Sequence, residues 1–272
     1  MKIDKVRVFY FSPTGGTKKL ATRLGSLIGD KLGVPVETAS ITLKSEREVT
    51  IETGPEDLVI LAAPTYAGRV PNKIEPDLRR MFSSSGSLAV ALASFGNRSY
   101  GTALAELADI LESSGSRVIG AGAFVSRHVF TDTIARRRPD REDKAELEAF
   151  AGSIADKIRG TDDPEELSRP ELGDIGPYYR PLKEDGTPAV FLKAKPLTKT
   201  DNCYYCGMCV KSCPMGAIDK DCVTVSGTCI KCHACVRCCP EKAKFFDNED
   251  FLSHVRMLEQ NYTSRSENAI FI

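Results

Sequence analysis

The position of the cysteines is the feature of this sequence that most constrains its fold. All ten cysteines lie between Cys203 and Cys239, and the first 202 residues contain none. The N-terminus carries no apolar run long enough for a secretion signal, and no stretch approaches the roughly 18 apolar residues of a membrane span. Dense cysteine in such a chain is typical of metal or redox sites rather than of disulfides. We therefore expect a cytoplasmic protein, without membrane insertion, whose C-terminal part binds metal.

One cysteine pattern occurs twice. The two copies are Cys203-x2-Cys206-x2-Cys209-x3-Cys213-Pro214 and Cys229-x2-Cys232-x2-Cys235-x3-Cys239-Pro240. Three closely spaced thiolates can hold one corner of a cubane cluster, and the fourth cysteine, followed by proline, ligates the other cluster. The spacing predicts two [4Fe–4S] clusters. The ligands are Cys203, Cys206, Cys209 and Cys239 at the first cluster site, and Cys229, Cys232, Cys235 and Cys213 at the second cluster site.

Zinc is the alternative to iron–sulfur clusters at these cysteines. Structural zinc sites usually pair two short Cys-x2–4-Cys units across a longer loop, whereas each run here holds four cysteines and ends before a proline. Cys222 and Cys238 lie outside the pattern, and we interpret both as small buried apolar residues. His233 lies between two predicted ligands but is not needed as one, because eight cysteines suffice. Tyr204 and Tyr205 either shield a cluster from water or belong to an ordinary core.

Residues 200–246 resemble the bacterial-type two-cluster ferredoxins, and both repeats match the motif of that family in full. The resemblance implies a small α+β domain that transfers electrons. Because so small a module has few apolar residues, binding of the clusters should contribute to its folding free energy.

Residues 1–160 alternate strand-like and helix-like patterns. Apolar residues at helical spacing predict a helix that ends near Gly33, another from about Thr102 to Ser114, and a third over Arg141–Arg159. Continuous apolar runs suit strands that are buried on both faces of a parallel sheet. The strand patterns are Val6–Phe11, a short one opening at Val34–Val36, Asp57–Ala63, Leu88–Ala93 and Arg117–Val125. They predict an α/β domain with a doubly wound, five-stranded parallel sheet.

A glycine-rich loop follows the first predicted strand and precedes the first helix. Its sequence, from Ser12 to Thr17, is Ser-Pro-Thr-Gly-Gly-Thr. Backbone N–H groups at a helix N-terminus bind anions, glycines allow close approach, and hydroxyls add neutral donors. The triphosphate loop and the dinucleotide fingerprint are both absent. The loop predicts a cradle for one phosphate monoester, with an ordinary glycine turn as the alternative; its candidate residues are Ser12, Thr14, Gly15, Gly16 and Thr17.

Two further loops, residues 64–71 and 94–101, follow the third and fourth predicted strands. In a doubly wound sheet, ligands bind beyond the carboxyl ends of the strands, so these loops should converge with the phosphate loop. Each offers tyrosine, glycine and a polar group, as a flat ring would need. The candidate residues are Pro64, Thr65, Tyr66, Ala67 and Gly68 in one loop, and Ser94, Phe95, Gly96, Asn97, Tyr100 and Gly101 in the other.

The N-terminal 160 residues resemble flavodoxin, because Ser12–Thr17 matches the FMN-phosphate motif Ser/Thr-x-Thr-Gly-x-Thr of that family. The resemblance implies that FMN binds here and that the two loops flank its isoalloxazine ring. Tyr66 and Tyr100 are then the candidates for stacking, since the chain has no tryptophan. Arg69 and Arg98 face either the flavin or a redox partner, or are plain surface residues.

The order of the domains resembles the flavodoxin–ferredoxin fusion proteins of anaerobic bacteria and archaea, as do segments 136–140 and 176–183. The expected organisation has four parts. They are a flavodoxin-like FMN-binding domain (1–160), an ordered connector with six prolines (161–199), a two-cluster ferredoxin-like domain (200–246), and a C-terminal helix and tail (247–272).

We expect an electron-transfer iron–sulfur flavoprotein that relays electrons between FMN, the two clusters and an external partner. One alternative is a two-cluster carrier whose flavodoxin-like domain holds no flavin and serves as a docking scaffold. Another is a flavin-dependent oxidoreductase with a small substrate. No nucleophile–base set, zinc-protease motif or NAD fingerprint is present in the sequence, so an electron-transfer role is favoured over an enzyme with its own substrate.

The charge of the chain bears on its partners. Lys plus Arg and Asp plus Glu number 37 each, so nothing indicates binding to nucleic acid or to a membrane surface. Each oxidised cluster with four thiolates contributes about −2, and a phosphate monoester about −1.5 to −2. The loaded protein is therefore acidic, which predicts a redox partner with a basic docking patch.

Overall fold

A six-stranded sheet forms the centre of the computed structural model, which describes residues 2–272. The strands of the chain are β1 (Lys5–Tyr10), β2 (Val36–Ser40), β3 (Ile51–Thr53), β4 (Asp57–Pro64), β5 (Phe82–Ser84), β6 (Leu88–Phe95), β7 (Arg117–Val125), β8 (Leu197–Thr198), β9 (Lys244–Phe245) and β10 (Ala269–Phe271). The order in the main sheet is β10-β7-β6-β4-β1-β2. All neighbours are parallel except β10, which runs antiparallel to β7.

The five parallel strands have the order 2-1-3-4-5 along the sheet, which is the flavodoxin-like variant of the doubly wound fold. The predicted α/β fold with five parallel strands is confirmed. Two details differ from the sequence analysis. The second strand starts at Val36 and runs to Ser40, and its largely exposed pattern explains why no apolar run marks it. The sixth strand, β10, comes from the C-terminus and was not predicted.

Seven helices accompany the strands of residues 2–272. They are α1 (Gly16–Leu32), α2 (Glu75–Met81), α3 (Ala103–Ser113), α4 (Arg141–Arg159), α5 (Met208–Lys211), α6 (Ala234–Cys238) and α7 (Glu249–Asn261). Gly33 ends α1 in the left-handed conformation, as its position in the sequence predicted. Asp140 caps the N-terminus of α4, because its side chain accepts hydrogen bonds from the backbone N–H groups of Glu142 and Asp143. The end of α1 and the start of α4 thus fall at residues that favour helix termini.

The core lies on both faces of the sheet. In β4, Leu58 and Ile60 belong to the cluster that includes α1 and α4, whereas Val59 and Leu61 belong to the cluster that includes α2 and α3. All four side chains are fully buried. Because successive residues of a strand point to opposite faces, a strand covered on both sides must be apolar throughout. This is why β4 appears in the sequence as an unbroken apolar run.

The ferredoxin module, residues 200–246, packs against the flavodoxin-like domain. Met215 and Ile230 of the module lie against the hydrophobic core on the α2–α3 side of the sheet. The fully buried Arg47 donates a hydrogen bond to the Pro214 carbonyl (3.0 Å). Arg237 of α6 donates to the carbonyls of the loop after β7. The module is therefore held to the larger domain by apolar and polar contacts on several of its segments.

The C-terminal segment returns to the main sheet after α7. Strand β10 pairs with β7 from Ala269↔Ala123 to Phe271↔Ala121. Just before it, the Asn268 side chain accepts a hydrogen bond from Val125 N (2.8 Å) and donates to Asp143 and Glu146 of α4 (2.8 Å each). The last residues thus cover the edge of the sheet and connect it to α4.

Candidate cluster and cofactor sites

The structure brings each predicted set of four cysteines around one cavity. Cys203, Cys206, Cys209 and Cys239 line the first cavity, and Cys213, Cys229, Cys232 and Cys235 line the second. Each cavity therefore takes three cysteines from one repeat and the last cysteine from the other, as the motif requires. All ten cysteines of the chain are free thiols in the structure. This donor chemistry fits two cubane clusters, and the ligand assignments themselves remain predictions.

Left-handed backbone positions recur in the two repeats and shape the loops around the cavities. Three pairs of residues with positive φ lie 26 residues apart in sequence: Tyr205 and Lys231, Gly207 and His233, and Gly216 and Lys242. They turn the chain at equivalent points on either side of the predicted ligands. The repeated backbone conformation gives the module its internal two-fold pattern.

Backbone N–H groups point at several of the predicted ligand sulfurs. Ala217 N donates to Cys213 Sγ (3.2 Å), and its counterpart Ala243 N donates to Cys239 Sγ (3.3 Å). Lys231 N donates to Cys229 Sγ (3.4 Å). Hydrogen bonds of this kind stabilise a thiolate and influence the reduction potential of a cluster.

Burial opposes ionisation of the thiols that lie deepest. It raises the pKa of Cys209 to about 11 and that of Cys235 to about 12, and it raises the pKa of Cys232 further still. Lys244 acts against this effect at Cys209 and Cys235, because a nearby positive charge favours the thiolate. Since only thiolates bind iron, loading of the clusters must displace these protons.

The two cavities differ in their exposure. At the first site Cys206 is exposed, and beside it Tyr204, Tyr205 and Met208 are 77%, 57% and 45% exposed. The interpretation of the two tyrosines as core residues is therefore wrong. At the second site no predicted ligand is exposed, and Cys232 and Cys235 are buried. The first site thus reaches the surface, while the second faces the larger domain.

The remaining residues of the module have separate environments. Cys222 is fully buried, as predicted, and lines the first cavity. Cys238 is only half-buried, and its Sγ lies 3.1 Å from Ser212 Oγ, so it is less apolar in its contacts than predicted. His233 is buried, lines the second cavity, stacks on Phe246, and leaves its Nε2 without a hydrogen-bond partner in residues 2–272.

The predicted phosphate loop forms the turn between β1 and α1. Gly15 is left-handed (φ 85°) and immediately precedes the helix. The amide N–H groups of Gly16 and Thr17, in the first turn of α1, have no acceptor within residues 2–272. Thr17 Oγ1 lies 2.7 Å from Ser94 Oγ, which joins this loop to the end of β6. The free amides at a helix start fit the phosphate group of FMN.

One of the two loops predicted to flank a flavin ring, residues 64–71, keeps an unsatisfied polar atom. Thr65 Oγ1 is buried and has no hydrogen-bond partner in residues 2–272. Tyr66 and Arg69 close a tight turn through two backbone hydrogen bonds. Burial raises the pKa of Tyr66 well above its usual value, and the negative charges of the Cys232 and Cys229 thiolates raise it further. Ile230, which lies between the predicted ligands Cys229 and Cys232, packs against the hydrophobic core that includes Val70 of this loop, so the loop lies on the side of the domain that faces the second cluster site.

The other loop, residues 94–101, is largely occupied by contacts within the chain. Asn97 donates to the carbonyls of Tyr262 and Ser264 (2.7 Å each) and accepts from Ser266 N. Phe95 is buried, and Tyr100 packs edge-on against it with ring centroids 5.6 Å apart. The side chains of Phe95, Asn97 and Tyr100 therefore contact other parts of the protein and do not line an open cleft.

The two loops also touch each other. A Cβ atom on Gly101, which is left-handed (φ 54°), would lie 2.3 Å from the carbonyl oxygen of Gly68. Thr102 N donates to the same oxygen (2.8 Å). Glycine is therefore needed at Gly101 for the loops to approach, and their contact narrows the gap at this end of the candidate flavin site.

The connector covers this contact. Tyr179 N donates to the Ala67 carbonyl (2.8 Å), and the Arg98 guanidinium lies 3.8 Å from the centre of the Tyr179 ring. Arg69 lies over Tyr178 at 4.5 Å, and its charge is paired with Glu106. Both arginines therefore hold the connector in place, a role that the sequence did not suggest.

Residues after β7 complete the carboxyl edge of the sheet, and the sequence analysis missed them. A Cβ atom on Gly16 would lie 3.2 Å from Ser126 Oγ, and one on Gly96 would lie 2.4 Å from His128 Cδ2. Ser126 and His128 thus border the phosphate loop and the loop of residues 94–101. Their position directly after a predicted strand was the signal that could have identified them.

A known protein family matches part of the chain. A family profile described as a 4Fe-4S binding domain matches residues 198–219, which include the first cysteine repeat. No curated protein matches the chain. None of the helices formed by residues 2–272 is long and apolar enough to cross a bilayer.

Three solved flavodoxin structures are similar to the N-terminal part. A flavodoxin from the domain Archaea is 21% identical, covering 57% of this chain and 99% of that one, with a TM-score of 0.40. The flavodoxin of Streptococcus pneumoniae TIGR4 is also 21% identical, covering 56% and 98%, with a TM-score of 0.40. Flavodoxin 2 of Bacillus cereus is 17% identical, covering 56% and 99%, with a TM-score of 0.40.

The strand order and the matched 4Fe–4S binding domain define an iron–sulfur electron-transfer protein. Its flavodoxin-like domain precedes its ferredoxin domain in a single chain. This is the arrangement of a flavodoxin–ferredoxin fusion, and the resemblance stated from the sequence is confirmed.

Proposed function

We propose that this chain relays electrons between FMN, two [4Fe–4S] clusters and an external redox partner. The observation that carries the proposal is the position of the loop of residues 64–71. This loop is expected to flank the flavin ring, and the hydrophobic core that contains its Val70 also contacts Ile230, which lies between Cys229 and Cys232 of the second cluster site. FMN exchanges one or two electrons and each cluster exchanges one, so their combination couples two-electron to one-electron chemistry.

The residues of the chain hold and shield these groups. The free amides of Gly16 and Thr17 bind the phosphate, and Thr65 Oγ1 offers a hydrogen bond beside the ring. Between the loop after β7 and the second cluster site, the rings of Phe130 and His233 are 4.8 Å apart, and His233 stacks on Phe246. These packed rings exclude water between the two domains and keep the second cluster in an apolar environment.

The exposure of the sites suggests their order in the relay. Ile230 of the second site packs against the core that contains Val70 of a candidate flavin loop, whereas the first site reaches the surface at Cys206. The redox partner would therefore meet the protein near the first cluster. Because the cofactors make the loaded protein acidic, we propose that this partner carries a basic patch, so that association slows as salt is added.

A first experiment measures the cofactor content. The full-length chain is purified anaerobically and reconstituted with iron, sulfide and FMN, and its spectrum and composition are determined. The relay requires two flavin bands above a broad charge-transfer shoulder, with roughly eight irons and one FMN per chain. Iron at this level without flavin would contradict the relay.

A matched pair of variants then tests the order of transfer. Cys229→Ser removes a predicted ligand of the second cluster, whereas Cys238→Ser changes a cysteine outside both sets. After photoreduction of the flavin, reduction of the first cluster should slow at least tenfold in Cys229→Ser and remain unchanged in Cys238→Ser. Equal rates in both variants would show that electrons do not pass through the second cluster.

The second candidate function is a two-cluster carrier whose flavodoxin-like domain acts as a docking scaffold. The contact between Gly68 and Gly101 and the full engagement of Asn97 favour it, because both narrow the space for a ring. Reconstitution with iron and sulfide but without flavin, followed by titration with FMN, separates the two functions. Saturable binding of one FMN per chain supports the relay, and no binding supports the carrier.

A further inference from the structure

Lys244 is a buried lysine with no carboxylate partner. This residue lies on the short strand β9 and is only 3% exposed. Its Nζ donates a hydrogen bond to Thr198 Oγ1 (2.7 Å), and that hydroxyl donates in turn to the Cys222 carbonyl (3.2 Å). Within residues 2–272, no Asp or Glu oxygen lies within 4.0 Å of this ammonium group. Within the described part of the chain, the Thr198 hydroxyl is thus the one hydrogen-bond partner of the Lys244 ammonium group.

A buried ammonium group is costly unless an opposite charge compensates it. Asp221 is near enough to interact electrostatically with Lys244, but it is exposed. Its carboxylate oxygens already accept hydrogen bonds from Thr224 and from Val223 N. Glu241, which lines the same cavity as Lys244, is also exposed, so residues 2–272 provide no buried counter-charge. Lys244 and Thr198 instead line the first cavity, together with the four cysteines predicted to hold the first cluster. A cluster with four thiolates would supply the missing negative charge.

We propose that Lys244 is the fixed counter-cation of the first cluster and raises its reduction potential above that of the second. This inference rests on the proposed first cluster. When that cluster accepts one electron from the second cluster, it becomes one charge unit more negative. A fixed cation in a site of low dielectric constant stabilises the reduced form more than the oxidised form. Electrons that arrive from the flavin side would then collect on the cluster that faces the partner.

Lys244 also acts on Cys235 of the second site, but it does not line that cavity, whose own basic side chains are arranged differently. Lys231 lies near Cys229, but it is partly exposed and its Nζ donates to the carbonyls of Leu192 and Cys229. The other nitrogen-containing side chain there is the imidazole of His233, which is buried, stacks on Phe246 and leaves its Nε2 without a hydrogen-bond partner in residues 2–272. The only fully buried cation among the side chains that line the two cavities is therefore Lys244 of the first.

The test compares Lys244→Met with Lys211→Met in the fully loaded chain. Lys211 is exposed on α5, close in sequence to ligands of both sites, so its replacement makes the same chemical change where water screens the charge. Iron and sulfide assays first establish that both clusters are present. A potentiometric titration followed by EPR then measures the two midpoint potentials.

In Lys244→Met, the higher of the two potentials should fall by the equivalent of at least a tenfold change in the reduction equilibrium, about 59 mV for one electron. The lower potential should move less, and Lys211→Met should leave both nearly unchanged. The proposal would be overturned if the higher midpoint potential stayed unchanged in Lys244→Met, or if both midpoint potentials shifted equally.

Lys244→Arg and Lys244→Gln separate charge from packing. Both keep a donor for Thr198, but only Arg keeps the charge, so the wild-type potential should return in Lys244→Arg and stay low in Lys244→Gln. If Lys244→Met loads poorly, this pair replaces it, and equal potentials in the two variants overturn the proposal. Wild-type protein without clusters would contradict the proposed function, whereas loaded protein with insensitive potentials would contradict only this inference.

Discussion

Gly207 and His233 occupy equivalent positions in the two repeats, and both are left-handed (φ 75° and 59°). Glycine adopts this conformation freely, whereas histidine does so less often. The stacking of His233 on Phe246, at 4.8 Å and 10° between planes, offsets that cost. Glycine therefore occupies this position beside the exposed first site, and histidine occupies it beside the second site, which is packed against the larger domain.

His128 connects the loop after β7 to this packed region and should make stability depend on pH. Its ring keeps some exposed surface, yet burial, followed by the charges of His254, Arg98 and Arg237, lowers its pKa to about 4. Phe130 N donates to its Nδ1 (3.2 Å), so the neutral ring is the form that fits. Since the unfolded chain protonates at about pH 6.5, stability is complete above that pH and falls as the pH approaches 4.

The expected loss is somewhat below about 1.4 kcal/mol per pH unit, because part of the ring remains exposed. Anaerobic urea unfolding of the loaded chain at pH 7.5 and pH 5.5 measures it. His128→Asn keeps an acceptor for Phe130 N but cannot titrate, so its stability should change less between the two pH values. An equal change in wild type and variant would show that His128 is not responsible.

At the level of secondary structure, the last strand β10 determines how the edge of the main sheet is protected. An uncovered edge strand presents unpaired backbone groups to other molecules. Here β7 is covered by β10, and Asn268 connects β7 to the fully buried Asp143 of α4, which also pairs with Arg138. Asn268 thus joins β7, α4 and the C-terminal segment at one point.

Asn268→Ala should therefore destabilise the protein more than an ordinary surface change. It removes three hydrogen bonds and leaves Val125 N without its partner, which predicts a loss of about 2–4 kcal/mol. Glu267→Ala, at the exposed neighbouring residue, is the matched control and should cost little. Thermal unfolding compares them, and hydrogen exchange should show faster exchange in β7 for Asn268→Ala alone. Unchanged protection of β7 would contradict this role.

At the level of the whole molecule, Arg237 is a main connection between the ferredoxin module and the flavodoxin-like domain. Its guanidinium donates to the carbonyls of Val129 (2.8 Å) and Thr131 (3.1 Å) and pairs with Asp132. The hydrogen bond from Arg237, with help from Arg127, lowers the pKa of Asp132 to about 2. The pair is thus intact above about pH 4, and its contribution is lost as the pH falls towards 2.

Arg237→Met should loosen the module by about 2 kcal/mol or more, because two carbonyls lose a charged donor. Asp132→Asn leaves those hydrogen bonds in place and removes only exposed ion pairs with Arg237 and Arg127, worth about 0.2–1 kcal/mol each. Limited proteolysis of the connector and hydrogen exchange of residues 126–132 measure the difference. If the connector and residues 126–132 were more exposed in Asp132→Asn than in Arg237→Met, the ion pairs of Asp132, and not the hydrogen bonds to the carbonyls, would be the main connection.

Features that depend on neighbouring residues were predictable from the sequence alone. The repeated cysteine spacing identified the residues that line each cavity, because a cubane cluster needs three ligands close together in the chain. The apolar run of β4 identified a strand buried on both faces, and Gly33 identified the end of α1. In each case the physical requirement is met within one short segment.

Contacts between distant segments were decided only by the tertiary structure. Asn97 bonds to residues about 165 positions later in the chain, Gly101 lies against Gly68, and Lys244 lies in the cavity of the first cluster. No local pattern encodes such contacts, because they depend on which surfaces meet once the sheet, the connector and the module have packed. The sequence by itself determined which side chains line the candidate sites, and the packing of the chain decided how those sites are exposed and charged.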